Sequence, residues 1–277
     1  MARYSESSTQ PIYDVAVRWL QQCLQLNGSL IRDNVSLWTA SNLDTLHSVF
    51  VEDADEGNRS FLEKLADQIK PAGADICNLA GELLVVYFLF PSNVGAVKKK
   101  EIVNQVLGWG GQTLPSGGLV DLAFAEGIGG AGQGYNTRRP YEIAFLIEMA
   151  RSWKRLSEVE RAAASGDPWK FMEFVDSVED VDGKQGRHIV LHILFPDIFE
   201  RIASGEQKRR IVRAFSSLLG DPAVEELDRS LLQIRGKLEA LLSGKELDFY
   251  WTPLREVWKD SGDGGDRVPD SGVRAGR

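Results

Sequence analysis

Residues 186–215 read GRHIVLHILFPDIFERIASGEQKRRIVRAF, and the secondary structure of this stretch decides the class of the chain. An apolar segment runs into Phe195-Pro196, and a basic segment with apolar residues at intervals follows. Built as strands, the stretch would carry Pro196-Asp197 and then Glu206-Gln207-Lys208. That is the PD…(D/E)xK pattern of metal-dependent nucleases, in which two carboxylates and a lysine converge on a divalent ion. Built as helices, it is a packing unit stopped by proline, because the residue before proline is pushed out of the helical region.

An echo earlier in the chain favours helices. Gly81-Glu-Leu-Leu-Val-Val-Tyr-Phe-Leu-Phe-Pro91 and Gly186-Arg-His-Ile-Val-Leu-His-Ile-Leu-Phe-Pro196 both take ten steps from glycine to proline and end Leu-Phe-Pro. A basic cluster then leads into Ile-Val in each: Lys98, Lys99, Lys100 before Ile102-Val103, and Lys208, Arg209, Arg210 before Ile211-Val212. Upstream, Phe61-Leu-Glu-Lys-Leu echoes Phe171-Met-Glu-Phe-Val, although the spacing drifts on both sides. We read a duplicated helical unit with related halves at about 59–107 and 168–216, joined by a glycine-rich connector over 108–136. The first copy has Pro91-Ser92 and no Glu-x-Lys, so Asp197, Glu206 and Lys208 are additions to a scaffold whose twin manages without them.

The rest of the chain has helical periodicity. Apolar residues from Ile12 to Leu26 form a stripe that ends near Asn27-Gly28, and Ser41-Asn42 offers a cap before Leu43, Leu46 and Phe50. An acidic turn at 52–58 leads to an amphipathic helix from Phe61 that Pro71 halts. Leu79–Phe90 is nearly all apolar; its length and its Leu, Ala and Glu content favour a buried helix over a buried strand. Further helices are expected over Lys98–Leu107, Tyr141–Leu156, Glu158–Ala164, Trp169–Val178 and Pro222–Leu242, with Phe249, Tyr250, Trp251 and Trp258 docking back onto the core. The expected fold is all-α: one helical domain of about ten helices over 12–259, a disordered lead at 1–11 and a Gly/Asp/Arg-rich flexible tail at 260–277.

Composition narrows the functional classes. With 277 residues, 43% of them hydrophobic and 26% charged, the chain reads as a globular protein with a real core. It has no ~18-residue apolar run, and its polar N-terminus does not read as a secretory signal. Two cysteines, Cys23 and Cys77, make no disulfide framework, and a reducing cytoplasm follows. Neither has an electropositive setting, so both are expected in the core. A net charge of −8 argues against a uniform nucleic-acid coat, yet the basic clusters leave room for a local cationic face.

Several chemistries can be weighed on residues alone. Gly127-Ile-Gly-Gly-Ala-Gly132 matches GxGxxG but lacks the preceding strand and the helix opening within it, so close backbone approach to a ligand or another segment is the better reading. No phosphate loop of the GxxxxGK[ST] type occurs. His188 and His192 have i,i+4 spacing suited to a metal, but the glutamate of the metalloprotease pattern is missing, and core histidines are the commoner case. The basic residues Lys98, Lys99, Lys100, Lys208, Arg209, Arg210 and Arg213 could neutralise phosphates. Tyr135, Asn136, Arg138 and Arg139 add donors and a stacking surface beside the glycine loop. A solvated helix face plus a structural loop fits the same residues.

LFPSNVGAVKKKEIVNQVLGW, GIGGAGQGYNTRRPYEIAFLIEMA and GRHIVLHILFPDIFERIASGEQKRRIVRAF resemble the region that precedes the motor domain in McrB-type AAA+ proteins, over roughly residues 13–258. Those proteins are the nucleotide-driven components of modification-dependent restriction systems. There an N-terminal region recognises DNA, often with modified bases, an AAA+ ring hydrolyses GTP or ATP, and a separate partner carries the nuclease. The chain reaches a Gly/Asp tail after Trp258, where a motor would begin, and has no phosphate loop. The resemblance therefore implies the recognition or adaptor part alone, as a truncated or split gene product or a freestanding relative. The modified-cytosine reader attached to some of these motors does not match this region, so no base-reading residue carries over.

The leading expectation is a non-catalytic module that binds DNA through its basic clusters and the 127–139 loop, with no cofactor or metal, working beside a motor or nuclease subunit. A helical adaptor that docks such a partner without touching DNA is the alternative. A nuclease using Asp197, Glu206 and Lys208 is the lesser one. DNA binding predicts that Lys98–Lys100, Arg138, Arg139 and Lys208–Arg210 share one surface.

Overall fold

The computed structural model describes residues 7–53, 58–179, 185–220, 226–242 and 246–260. Residues 1–6 of the expected lead, 54–57 of the acidic turn, Pro222 and the tail from 261 lie outside them. Among the described residues the chain is all-α, with fourteen α-helices and no strand. None of these helices is long and apolar enough to cross a membrane. The chain divides into two compact units, one ending at Gly205 and one beginning at Glu206. This division falls inside the second of the two echoed halves.

The first unit opens with α1 (Gln10–Arg18), which continues as a π-helical segment to Gln25. Helicity thus begins inside the expected lead, with Pro11 in the first turn of α1, where no amide donor is missed. Asn27, in the left-handed region at φ 60°, turns the chain away as its sequence promised. α2 (Ala40–His47) starts two residues earlier than expected: Thr39, not Ser41, is the cap, and its hydroxyl accepts the Asn42 amide. α3 (Phe61–Ile69) begins with a capping box in which Ser60 and Glu63 satisfy each other's backbone amides.

α4 (Ala74–Phe88) settles the helix-or-strand question for the apolar run. Every residue from Ile76 to Phe88 is buried, as expected of a helix enclosed on all sides. It packs most extensively on α5 (Ala96–Trp109). Gly81 permits the close crossing, since a Cβ there would stand 2.7 Å from Leu107 Cγ. α6 (Leu119–Ala123) and α7 (Gly132–Thr137) lie within what the sequence suggested was an irregular connector. α8 (Arg139–Arg155) starts before Tyr141, with Pro140 in its first turn. α9 (Glu158–Gly166) and α10 (Pro168–Asp176) follow, capped by Ser157 and Asp167.

α11 (Gly186–Leu194) holds the GRHIVLHIL stretch as a helix, and α12 (Gly205–Ala214) holds the basic segment. The strand arrangement that the nuclease pattern requires is therefore not formed. The echoed segments are also built differently. Gly81 lies at the middle of a fifteen-residue helix, whereas Gly186 is the first residue of a nine-residue one, beneath Glu142 and Phe145 of α8. In the second unit, α12, α13 (Leu227–Leu241) and α14 (Leu254–Asp260) contribute to a small core with Ile211, Phe215, Leu231, Ile234, Phe249 and Trp258. Of the four aromatic residues expected to dock, Phe249 and Trp258 are buried, Tyr250 is half-buried and Trp251 stays exposed.

Candidate nucleic-acid interface

Many of the charged side chains that looked available for binding are structural. Lys99 is fully buried on α5, where its ammonium donates to the Glu126 carbonyl at 3.0 Å; desolvation brings its pKa down to about 8. Lys208 is fully buried in the second unit and is held by both carboxylate oxygens of Asp228, at 2.6 and 2.9 Å. Tyr135 is buried: its ring stacks on that of Tyr87 with centroids 4.5 Å apart, and each hydroxyl donates to the other residue's carbonyl at 3.0 Å. Burial pushes the Tyr87 hydroxyl up to about 12 and also raises that of Tyr135 well above its ordinary value. Lys99, Tyr135 and Lys208 are thereby removed from the expected interface, because none has a side chain that reaches solvent. They are helix-packing residues.

Other candidates stay at the surface but are paired. Lys100 bonds Asp121, and Arg209 and Arg210 both reach Glu206 at 3.2 Å. Glu206 is thus engaged by two arginines and Lys208 by Asp228. Arg213 is exposed on α12, and the Arg138 guanidinium lies 5.0 Å from the Tyr141 ring centroid. Lys208, Arg209, Arg210 and Arg213 belong to the second unit, while the 98–100 and 135–139 residues belong to the first.

The histidine pair does not make a metal site. His192 is fully buried, with Nδ1 2.7 Å from the Phe199 carbonyl and Nε2 3.2 Å from the Tyr13 hydroxyl, so both ring nitrogens are occupied. Among the described residues no three His, Cys, Asp or Glu side chains are grouped so as to hold a metal. The GxGxxG run is likewise spent on packing. Gly127 lies against the backbone of Ser92, the Ile128 amide donates to Phe90 and the Ser92 amide donates to Gly129. The loop closes over the end of α4, which is the close approach to another segment that its glycines suggested.

What the first unit does present is a pair of adjoining clefts. One, of about 470 Å³, is bordered by Ser60, Phe61, Asn93, Lys98, Ile102 and Arg139. The other, of about 340 Å³, lies among Arg59, Phe61, Lys64, Gln68, Asn136 and Arg139. Phe61, Asn136 and Arg139 belong to both. Neither protein-family models, curated proteins nor solved structures match the chain. Its chemistry is therefore read from these clefts.

Among the described residues four cations line them, Arg59, Lys64, Lys98 and Arg139, and no carboxylate does. Arg59 pairs with Asp67 and Lys98 with Glu101, both pairs well exposed to solvent. Such pairs are worth ~0–1 kcal/mol and exchange readily for a phosphate. The Arg139 guanidinium sits 5.3–5.6 Å from the ring centroids of Phe61, Tyr87 and Phe88, which fix it as a cation stacked on aromatic rings. Its Nε and the Oδ1 of Asn136 are buried without a hydrogen-bond partner. The Arg138-Arg139-Pro140 entrance pointed at this place; the contribution of α3 did not stand out, because Arg59 and Lys64 lie in an acidic stretch.

Proposed function

We propose that the chain is a non-catalytic recognition module that binds DNA through the cationic clefts of its first unit. The observation that carries this reading is the convergence of Arg59, Lys64, Lys98 and Arg139 around Phe61, with no acid among the described lining residues, on a protein of net charge −8. An acidic protein that gathers cations in one concavity focuses its field there and raises the local concentration of an anionic ligand. The resemblance to the region before the motor of McrB-like proteins supports a place in a restriction system beside a motor or nuclease subunit. The burial of Lys208 on Asp228 and the pairing of Glu206 with Arg209 and Arg210 weigh against the nuclease alternative.

A mobility-shift series with modified and unmodified DNA, duplex and denatured, at increasing salt tests the reading. Binding should weaken steeply with salt. Lys98→Glu and Lys64→Glu should each lower affinity at least fivefold without altering the melting temperature. Undetectable binding throughout would leave the adaptor reading, which has its own support in the second unit. There Leu241, Leu242, Trp251 and Val257 are exposed on a small body, the kind of apolar surface a protein partner covers.

A further inference from the structure

We infer that the ligand of the clefts is an unpaired DNA strand, with a base against Phe61 and its phosphates on the surrounding cations. This rests on the DNA reading above and narrows it.

The shape comes first. The clefts are concavities of base or nucleotide size rather than a projecting helix or loop. A duplex keeps its base faces inside the stack and reads best against an element that enters a groove. A single strand exposes both its faces and its phosphates, and proteins take it into positively charged grooves with aromatic platforms. The first unit supplies both parts within one lining. Phe61, half-buried, borders each cleft, and cations lie on both sides of it: Lys98 in one cleft and Arg59 and Lys64 in the other. A strand crossing Phe61 would therefore meet cations before and after the stacked base.

The apolar part of the lining fits the same ligand. Phe61, Leu62, Val94 and Ile102 line the larger cleft. They offer no partner to a sulfate-like anion alone but suit a flat ring. Asn136 then supplies selectivity. Its Oδ1, buried and without a partner, is an acceptor for an amino or imino group on a base edge, a group that a duplex already commits to its complement. Filling that acceptor would also relieve the cost of a buried polar atom left unmet.

Fluorescence anisotropy on the full chain decides the matter, with a labelled single-stranded 15-mer, the same sequence as a duplex, and a mononucleotide as competitor. We expect the single strand to bind at least tenfold tighter than the duplex, and the mononucleotide to compete only weakly. Phe61→Leu should cost the single strand about tenfold, the scale of one lost base stack. Phe61 also touches the core, so Asn136→Asp and Lys98→Glu are tested beside it; each should weaken the strand at least fivefold, and exposed Lys98→Glu should do so with an unchanged circular dichroism melt. Equal or tighter binding of the duplex, still lowered by Lys98→Glu, would overturn the inference and leave the DNA reading standing. Competition by the mononucleotide at the strand's own affinity would overturn it in favour of a small-nucleotide site. Strand binding indifferent to all three substitutions would place the ligand elsewhere. No binding of any nucleic acid would sink both readings.

Discussion

Glu82 is the charged residue whose role was least visible beforehand, buried as it is within a run of Leu, Val and Gly. Its side chain is fully enclosed. Its carboxyl accepts the Leu30 amide at 2.7 Å, the Trp38 indole N–H at 2.6 Å, the Ile31 amide at 3.4 Å and the Ser29 hydroxyl. The whole turn between the first π-helical segment and α2 is thereby tied to α4 by one residue. Removing it leaves several buried donors unmet, and each costs ~1–3 kcal/mol. Glu82→Ala should therefore lower unfolding free energy by about 3 kcal/mol, read as an earlier urea midpoint, and Glu82→Gln by about half as much. Burial raises the Glu82 pKa above its ordinary value, while the four donors pull it down. The folded state then holds this proton to higher pH than the unfolded state does. The associated stability is fully present below the unfolded value near ~4.3 and is lost as pH rises through the folded one. The stability difference between the wild type and Glu82→Gln should shrink accordingly between acid and neutral pH. A difference that grows with pH would show that the carboxylate, not the acid, is the form the fold prefers.

Helix ends hold further charged side chains that the sequence did not single out. The glycine-start amide of α11 donates to Glu142 at 2.7 Å, an acid placed at a helix N-terminus. Arg187 donates to the carbonyls of Val175 and Val178 at the end of α10. Lys154 donates to Cys23, Leu24 and Asn27 and closes the π-helical segment after α1. Each of these pairs joins residues far apart in the chain or on different helices, and local periodicity holds no trace of them. What periodicity and turn chemistry do hold was legible: the buried helix before Pro91, the Asn27 turn, the helix behind Pro140 and a close backbone approach by the 127–132 glycines, though not whether to a ligand or to another segment. The last of these makes a test at the scale of the loop. A Cβ on Gly127 would come within 2.6 Å of the Ser92 amide nitrogen, which is backbone and cannot swing aside, whereas one on Gly130 would meet nothing within 4 Å. Gly127→Ala should cost ~2–3 kcal/mol, in the range of overpacking, and loosen the end of α4. Gly130→Ala should stay within ~0.5 kcal/mol of wild type, as a surface substitution does. Equal thermal midpoints for the two would mean that the loop does not hold the GxG segment against Pro91.

Across the whole molecule, the distribution of charge between binding and folding is what sequence reading could least resolve. Both basic clusters contain one buried lysine, Lys99 and Lys208, beside exposed or half-buried neighbours, and the sequence marks no difference between them. Burial depends on partners distant in the chain, Glu126 for one and Asp228 for the other. The two units meet their needs separately: a large core with cationic clefts in the first, and a small core around a buried ion pair in the second. In so small a body, removing one member of that pair is severe, because the other is left as an uncompensated charge at a cost of ~3–5 kcal/mol. Lys208→Met alone should therefore strongly destabilise the second unit. Lys208→Met with Asp228→Leu removes both charges and keeps apolar volume, so it should restore most of the loss. The pair of variants also separates structure from function. If Lys208 contacts DNA or serves catalysis, the stable double variant will have lost affinity or activity along with the lysine. If its work is confined to the core, the double variant will bind DNA as the wild type does and show the same salt dependence. We expect the second result, measured by urea denaturation and anisotropy on the same preparations. Loss of binding by a double variant that folds normally would return Lys208 to the site.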